Sequence, residues 1–223
     1  MKYSNIMEIN IVNMKRYSVY LLSLFIISLG ASLSIKANLG TSPLICIPYV
    51  SSVISNLSVG TTSFVFNLVL VFVQIILLRG DFNKRQYLQI VIGTIFSFFI
   101  DLTLMLIRFI NPADYLSQLA LLLISCVVMA IGVLLEIKTA VVYLPGDGFI
   151  VAIALAFEKE FGKIKPYIDT SFVLVAILLS FMFLGYLSGV REGTVISALI
   201  IGPMVRILKV HLNYYLDKFL ETN

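Results

Sequence analysis

The fold of this chain is decided by residues 36–79, KANLGTSPLICIPYVSSVISNLSVGTTSFVFNLVLVFVQIILLR, whose two basic ends enclose 42 uncharged residues. Polar breaks at residues 40–43 and 58–61 divide this stretch. Residues 62–78, after the second break, are numerous enough for a helix to cross a bilayer core of roughly 30 Å. Residues 43–57 number only 15, which favours a short re-entrant or interfacial helix. The stretch therefore predicts one short and one membrane-spanning helix.

The composition of the whole chain is that of a helical membrane protein. Of its 223 residues, 60% are hydrophobic and 13% are charged, whereas about a quarter of a soluble domain is charged. The apolar runs are continuous and do not alternate, which excludes a transmembrane β-barrel. The net charge of +4 fits basic residues crowded into cytoplasmic loops, so no nucleic-acid partner is expected.

Charge-free runs predict six spans in total. They cover about residues 17–35, 62–78, 87–107, 116–135, 170–187 and 194–210. A second short segment, residues 143–157, contains the turn Leu144-Pro145-Gly146-Asp147-Gly148. The predicted fold is therefore an all-α polytopic membrane protein with six transmembrane helices and two short re-entrant or interfacial helices.

The chain also aligns with itself at a shift of 102 residues, which indicates an internal duplication. The matched pairs include Gly30 with Gly132, Lys36 with Lys138, Pro43 with Pro145, and Asn67 with Asp169. The predicted organisation is a cytoplasmic N-terminal segment (1–16), a first membrane repeat (17–110), a second membrane repeat (115–212) and a cytoplasmic C-terminal tail (213–223). Each repeat reads as a span, a short segment and two further spans.

The distribution of the 16 Lys and Arg residues predicts the orientation. If both short segments are re-entrant, 13 of the 16 face the cytoplasm, and only Lys36, Arg108 and Arg191 lie outside. If both segments cross the membrane, 10 of the 16 face the cytoplasm. The six-span arrangement is favoured, and three crossings per repeat give the two repeats opposite orientations. Such inverted repeats are frequent in transporters, although the short segments could also lie in the interface.

Polar groups at membrane depth usually face a cavity or a partner, so they are the candidate functional residues. The predicted substrate path is formed by Asn38, Pro43, Asn67, Thr94, Asp101, Pro145, Asp147 and Thr194. Glycines in loops let the backbone approach a ligand closely. The glycines selected on this ground are Gly40, Gly146, Gly148, Gly193 and Gly202.

Two carboxylates, Asp101 and Asp147, are the candidates for a coupling or selectivity group. For each of them a structural role is an alternative. Asp101 could pair with Arg108 near the outer interface, and Asp147 could cap the helix that follows it. Asp169 is expected to be a surface cap or a salt-bridge partner.

The remaining polar residues give no sign of enzymatic chemistry. Glu136 and Lys138 are two residues apart, hence on different helix faces, and are expected at the membrane interface. Cys46 and Cys126 lie in apolar runs and are expected to be small buried hydrophobes. His211 has no metal-ligand or nucleophile partner at a suitable spacing, so no enzyme activity, metal or cofactor is predicted.

Several of these loops resemble those of the YczE/YyaS/YitT group of bacterial integral membrane proteins. The residues that carry the resemblance are Ala37-Asn38-Leu39-Gly40-Thr41-Ser42-Pro43, Val59-Gly60-Thr61, Leu144-Pro145-Gly146-Asp147-Gly148, Gly193-Thr194-Val195-Ile196-Ser197 and Ile201-Gly202-Pro203. The resemblance covers about residues 17–210 and implies a plasma-membrane protein of transporter type without a settled substrate. This chain departs from the group at Leu44, where an aromatic or bulky residue is frequent.

The function that these observations favour is a small secondary transporter or permease of the bacterial plasma membrane. The expected partners are the lipid bilayer and a small-molecule or ion substrate, with a homodimer or transporter-complex subunits left open. One alternative is a substrate-capture subunit of a multi-component uptake transporter. Another is an accessory or assembly protein that does not transport.

Overall fold

Our computed structural model describes the backbone of residues 2–221 and the side chains of residues 14–219 except 81, 215 and 217. Within residues 2–221 the chain forms eight α-helices. The helices are α1 (Lys2–Ala37), α2 (Pro43–Ser55), α3 (Val59–Leu78), α4 (Leu88–Leu106), α5 (Tyr115–Thr139), α6 (Pro145–Ala156), α7 (Phe161–Leu184) and α8 (Glu192–Glu221). Two short 3-10 turns, Arg79–Asp81 and Lys84–Tyr87, connect α3 to α4.

Six of these helices are long and apolar enough to cross a membrane. Their candidate spans are Met14–Ala37, Val59–Leu78, Lys84–Leu106, Tyr115–Thr139, Phe161–Leu184 and Glu192–Tyr214. The remaining two, α2 and α6, have 13 and 12 residues, which correspond to about 20 Å and 18 Å at 1.5 Å per residue. The predicted fold class, six spans with two short helices, is confirmed.

Helix α7 begins nine residues earlier than the predicted span at residue 170. Lys163, Lys165 and Asp169 lie inside the helix rather than in a preceding loop. Their charges are partly matched, because Lys163 pairs with Glu160 at 3.2 Å and Lys165 pairs with Asp169 at 3.6 Å. The charge-free criterion therefore placed the start of this span too late.

Side chains at the helix ends explain where two of the spans begin. Asp114 caps α5 by accepting the Ser117 N–H at 2.9 Å, and this bond, together with that from the Ser117 hydroxyl, holds the pKa of Asp114 below its usual value. Ser58 caps α3 by accepting the Thr61 N–H at 3.0 Å. Such caps satisfy N–H groups that have no partner within the helix.

The ends of α1 and α4 and the start of α3 lie on one face of the bundle, here called the first face. Lys36 Nζ donates to the Arg108 carbonyl at 3.2 Å, and Arg191 Nη1 donates to the Asn38 carbonyl at 2.9 Å. The Gly60 N–H at the start of α3 reaches Asp101 near the end of α4. Helix α2 lies between α1 and α3 in the chain, so the segments on both sides of it return to the first face.

The start of the α1 span lies at the opposite, second face, together with the segment that follows α5. The Tyr20 hydroxyl donates to the Val142 carbonyl at 2.9 Å. Residues 140–144 then lead into α6, and four residues, 157–160, connect α6 to α7. Lys165, near the start of α7, pairs with Asp147 near the start of α6. Helix α6 is thus flanked on both sides by segments of the second face.

Helices α1 and α5 form the central packing of the bundle through two close glycine contacts. A Cβ atom added to Gly30 would lie 2.4 Å from Met129 Cγ, and one added to Gly132 would lie 2.6 Å from Ile27 Cγ1. The contact positions rise along α1 as they fall along α5, so the two helices are antiparallel. Small residues that allow close backbone approach are typical of helix packing in membranes.

The two halves of the chain differ at their last helix pair. Among the described residues, α3 packs along α4, whereas α7 and α8 do not pack against each other in this way. Most of the α8 span is exposed on the outside of the bundle. Its surface is largely apolar, as a lipid-facing or partner-facing helix requires.

Candidate functional site

The centre of the bundle contains a buried cavity of about 50 Å³ at the point where α2 and α6 begin. Ser42 and Leu44 contribute the α2 side, Gly146 contributes the α6 side, and Ser63 and Asn67 contribute from α3. A water needs roughly 10–15 Å³ of such space, whereas drug-sized ligands occupy roughly 300–1,000 Å³. The cavity therefore fits a few waters or one small ligand.

Two buried hydroxyl groups in the cavity wall have no partner. Ser42 and Ser63 are each 2% exposed, and their Oγ atoms make no hydrogen bond within the part of the chain that the structure describes. Buried polar groups are hydrogen-bonded in the large majority of cases. Both residues line the cavity, so their hydroxyls are candidate hydrogen-bond partners for a ligand there.

The starts of α2 and α6 add backbone donors to the same place. Each helix has proline at its first position and lacks a side-chain cap. Proline has no N–H, and the next amides in the first turn, those of Leu44, Gly146 and Asp147, have no carbonyl within their own helix to bond. Helix starts carry partial positive charge, so the cavity lies between two positive helix ends.

A second, open cavity of about 210 Å³ lies at the first face and is called here the vestibule. It is lined by Ile35, Asn38, Gly40, Thr41, Tyr49, Tyr186, Leu187, Ser188, Gly189 and Arg191. Gly40 and Thr41 line the vestibule, and the next residue, Ser42, lines the central cavity. This loop, like Pro48 and Tyr49 of α2, therefore carries the wall from one cavity to the other.

The loop is held firmly against the segment that joins α7 to α8. The Thr41 N–H and hydroxyl both donate to the Gly189 carbonyl, at 2.9 Å and 3.1 Å. Gly40 has a φ of +105°, which favours glycine, and an added Cβ there would lie 2.5 Å from Thr194 Oγ1. A Cβ at Gly193 would lie 2.5 Å from the Leu39 carbonyl oxygen. The structure thus brings together Asn38, Gly40, Gly193 and Thr194, of which Asn38 and Gly40 line the vestibule while Gly193 and Thr194 pack behind Leu39 and Gly40.

A charged cluster surrounds the start of α6 on the side of the second face. Lys165 Nζ lies 3.1 Å from an Asp147 oxygen and 3.6 Å from an Asp169 oxygen. Glu136 accepts the Leu144 N–H at 3.0 Å through Oε1. Within the described residues, Glu136 Oε2 and Asp169 Oδ1 are buried without a partner. Asp147 and Asp169 therefore share one lysine, and Asp169 is a half-buried salt-bridge partner, which is one of its two expected roles.

The burial of Glu136 is not evident from the sequence. Its place near the end of a span predicts a location at the membrane interface, and within the bundle the side chain is buried, with 5% exposed. The segment after α5 folds back, so the Leu144 N–H reaches the Glu136 carboxylate. The spacing of Glu136 and Lys138 indicated only that the two side chains point in different directions, not which of them points inward.

Two glutamines were also missed. Gln74 Nε2 donates to Gln89 Oε1 at 3.1 Å and to the Pro145 carbonyl at 3.2 Å. A Cβ at Gly148 would lie 2.6 Å from Gln89 Oε1, so the absence of a side chain there allows this contact. Pro145, Asp147 and Gly148 thus belong to one polar region, and a lone glutamine in an apolar helix was the available signal.

Asp101 lies at the first face, away from this cluster. Its Oδ2 accepts the Ser58 hydroxyl at 2.6 Å, and its Oδ1 accepts the Gly60 N–H at 2.8 Å. The alternative of a pair with Arg108 is corrected, because Asp101 instead binds the start of α3. A carboxylate at a helix N-terminus is favourable for that helix, so this geometry is that of a structural clamp.

Two further predicted residues lie on the outside of the bundle. Thr94 is exposed, and its hydroxyl donates to the Ile90 carbonyl of its own helix at 2.8 Å. Gly202 is exposed on α8, and an added Cβ would meet no atom within 4 Å. Neither residue lines the central cavity. Pro43 is buried at the start of α2, between the lining residues Ser42 and Leu44, but does not itself line the cavity. The described residues contain no group of three His, Cys, Asp or Glu that could hold a metal ion.

The comparison with known proteins adds a family but no activity. No curated protein and no solved structure matches this chain. One family model does match, over residues 14–210, and it is described as a family of unknown function, DUF6198. That match covers all six candidate spans except the last residues of α8. The chain therefore belongs to the DUF6198 family.

Proposed function

We propose that this protein is a small secondary transporter or permease of the bacterial plasma membrane, with both termini in the cytoplasm. The observation that carries the proposal is the meeting of α2 and α6 around a buried cavity with two unpartnered hydroxyls. Irregular backbone at membrane depth is tolerated where it lines a cavity or is buried in protein. Interrupted helices that end near the middle of the bilayer are typical of transporter substrate sites.

The contacts between α1 and α5 support a duplication with inverted repeats. Under the shift of 102 residues, Met129 is the position equivalent to Ile27, and Gly132 is the position equivalent to Gly30. If each residue is replaced by its equivalent in the other repeat, the contact between Gly30 and Met129 becomes the contact between Gly132 and Ile27. A pair of contacts that exchange in this way is expected for two units related by a two-fold axis, and the antiparallel helices favour an axis in the membrane plane.

The positions of three basic residues support the proposed orientation. The charge count assigns three basic residues to the outside: Lys36, Arg108 and Arg191. Hydrogen bonds join Lys36 to the Arg108 backbone, and Arg191 to the Asn38 backbone close to Lys36. All three then lie on one face, which would be the extracytoplasmic one.

The charged cluster supports coupling of transport to a proton or a cation. Ionisable groups inside a membrane are costly and usually serve a pathway or a relay. Asp147 remains the candidate coupling carboxylate, and Glu136 joins it because its Oε2 is buried without a partner. Asp101 is better explained as the clamp on α3.

The test is a flux measurement with the full chain in liposomes. A pH-sensitive dye inside the vesicles reports proton movement when gradients of small ions or solutes are imposed one at a time. We expect gradient-driven flux above that of protein-free vesicles, with a large loss in Asp147→Asn. The matched control is Asp114→Asn, an exposed cap outside the spans, which should retain the flux. Absence of flux for every gradient would overturn the proposal.

A second candidate function is a substrate-capture subunit of a larger uptake transporter. The observation that favours it is the open face of α8, which presents Val195, Leu199, Ile207 and Val210 with more than half of each side chain exposed. Mild solubilisation followed by native mass spectrometry tests this candidate. Recovery of an ATPase and a scaffold subunit with the protein would favour it over an independent transporter, and recovery of the chain alone or as a homodimer would not.

A further inference from the structure

We propose that the central cavity binds a small monovalent anion at the start of α2, and that such an anion is the transported species. The inference rests on the proposed function, because it assigns a substrate class to the same cavity. The donors would be the Leu44 N–H and the hydroxyls of Ser42 and Ser63, with the half-buried Asn67 amide beside them.

The donor set fits an anion better than a cation. The start of a helix offers N–H groups and partial positive charge. A serine hydroxyl can turn its hydrogen toward an acceptor. Ser42 and Ser63 both line the cavity and are 98% buried, and their hydroxyls have no partner among the described residues. The polar side chains that line the cavity can all act as donors, and none of the described residues that line it is a carboxylate.

The distribution of carboxylates selects the α2 end of the cavity. The first turn of α2 contains no acidic residue. The first turn of α6 contains Asp147, and Glu136 accepts the N–H of the residue just before that helix. The partial positive charge at the start of α6 is therefore already balanced by the carboxylates of Asp147 and Glu136. The partial positive charge at the start of α2 has no such carboxylate in its first turn.

The size of the cavity narrows the ligand class. A volume of about 50 Å³ admits a halide or an anion of a few atoms, but not a drug-sized molecule. Arg191 in the vestibule wall pairs with Glu192 at 3.4 Å, so the selection of an anion rests on the central cavity itself.

Binding is tested on the full chain in detergent with bromide as the probe. The thermal unfolding midpoint is followed as sodium bromide replaces sodium gluconate at constant ionic strength. We expect a saturable rise in the midpoint. The rise should need about tenfold more bromide in Ser42→Ala or Ser63→Ala, since a hydrogen bond to a charged group is lost. Neither variant should be less stable without bromide, because each removes an unpartnered hydroxyl.

The matched control is the pair Ser52→Ala and Ser125→Ala. Both serines are buried, but their hydroxyls donate to carbonyls of their own helices, Ser52 to Tyr49 at 2.7 Å and Ser125 to Leu122 at 2.6 Å. These variants should keep the bromide response of the unsubstituted protein. An unchanged bromide response in the Ser42 and Ser63 variants, or no response in any protein, would overturn the inference.

Flux measurements separate this inference from the proposed function. Liposomes with the full chain are given gradients of bromide, chloride, nitrate or formate in one series and of sodium or potassium in another. Anion flux that falls in Ser42→Ala and Ser63→Ala supports both proposals. Flux of cations alone supports a transporter and overturns the anion assignment. Bromide binding without any flux supports the site and overturns the transport function.

Discussion

Leu44 of α2 contacts Gly146 of α6 at the centre of the bundle, and the two residues are 102 positions apart. This separation equals the shift of the internal repeat. Leu44 and Gly146 therefore occupy equivalent positions in the two repeat units. A contact between equivalent positions lies on the axis that relates two units. The central cavity is therefore built where the proposed inverted repeats meet.

The first prediction concerns this contact. A Cβ at Gly146 would lie 2.8 Å from Leu44 Cδ2, so Gly146→Ala forces the Leu44 side chain to move. We expect a loss of about 1 kcal/mol of stability and reduced flux. Leu44→Ala in the same chain should restore much of the loss. The control is Gly202→Ala, where an added Cβ meets nothing within 4 Å. Equal effects of the two glycine substitutions on the thermal midpoint would contradict the contact.

The second prediction compares Gly60 with Gly162, which the 102-residue shift also pairs. A Cβ at Gly60 would lie 2.3 Å from the Ser97 carbonyl oxygen, whereas one at Gly162 meets nothing within 4 Å. Gly60→Ala should lower stability by roughly 1–3 kcal/mol because backbone cannot move aside cheaply. Gly162→Ala should be neutral or slightly stabilising, since alanine favours a helix. Thermal unfolding in detergent measures the stability of both variants. A smaller loss of stability in Gly60→Ala than in Gly162→Ala would contradict the prediction.

The third prediction separates a structural from a transport role for Asp101. The Asp101 carboxylate accepts from Ser58 and Gly60, so Asp101→Ala should lower stability by about 1–2 kcal/mol. Asp101→Asn should lose less stability than Asp101→Ala, because the asparagine side chain retains one acceptor oxygen. The flux of molecules that remain folded should persist. If Asp101→Ala abolishes flux while its unfolding midpoint is unchanged, Asp101 is a transport carboxylate and the clamp assignment is wrong.

The fourth prediction concerns Glu136. Glu136→Gln keeps an oxygen for the Leu144 N–H and removes a buried charge that has an unpartnered oxygen. Its stability should equal or exceed that of the unsubstituted protein, and bromide binding should strengthen because a nearby negative charge is gone. Glu136→Ala leaves the Leu144 N–H without its carboxylate partner, so its free energy of unfolding should fall by about 1–3 kcal/mol. Thermal unfolding with and without bromide measures all of these. A Gln variant as unstable as the Ala variant would refute this reading of Glu136.

The sequence predicted the helices well, because length and the absence of charge determine what can cross a bilayer. All six spans and both short helices are present, and proline begins each short helix as a first-turn residue can. The start of α7 was missed by nine residues, since Lys165 is neutralised by Asp147 and Asp169 from within the fold. The pairing with Asp147 depends on the tertiary structure and leaves no local trace in the sequence, whereas the i,i+4 spacing of Lys165 and Asp169 was a local signal for a helix.

Whether an individual side chain points into the bundle or outward is harder to predict from the sequence. In a soluble helix the apolar stripe marks the core, but in α4 both the lipid side and the buried side are apolar. Thr94 was therefore assigned to the interior although it is exposed, and Glu136 was assigned to the interface although it is buried. Ser42 and Ser63 carry the open hydroxyls of the cavity, and small serines are too frequent in spans to stand out.

The most direct test of the account is the side of the membrane from which the flanks of the short helices can be labelled. Single cysteines at Asn38, Leu57, Tyr143 and Phe157, all exposed positions, are treated with a membrane-impermeant thiol reagent in intact cells and in inverted vesicles. Cys46 and Cys126 are buried and should give a low background. We expect positions 38 and 57 to be labelled from outside and positions 143 and 157 to be labelled from the cytoplasm. Labelling of positions 38 and 57 from opposite sides would show that α2 crosses the membrane and would contradict the account.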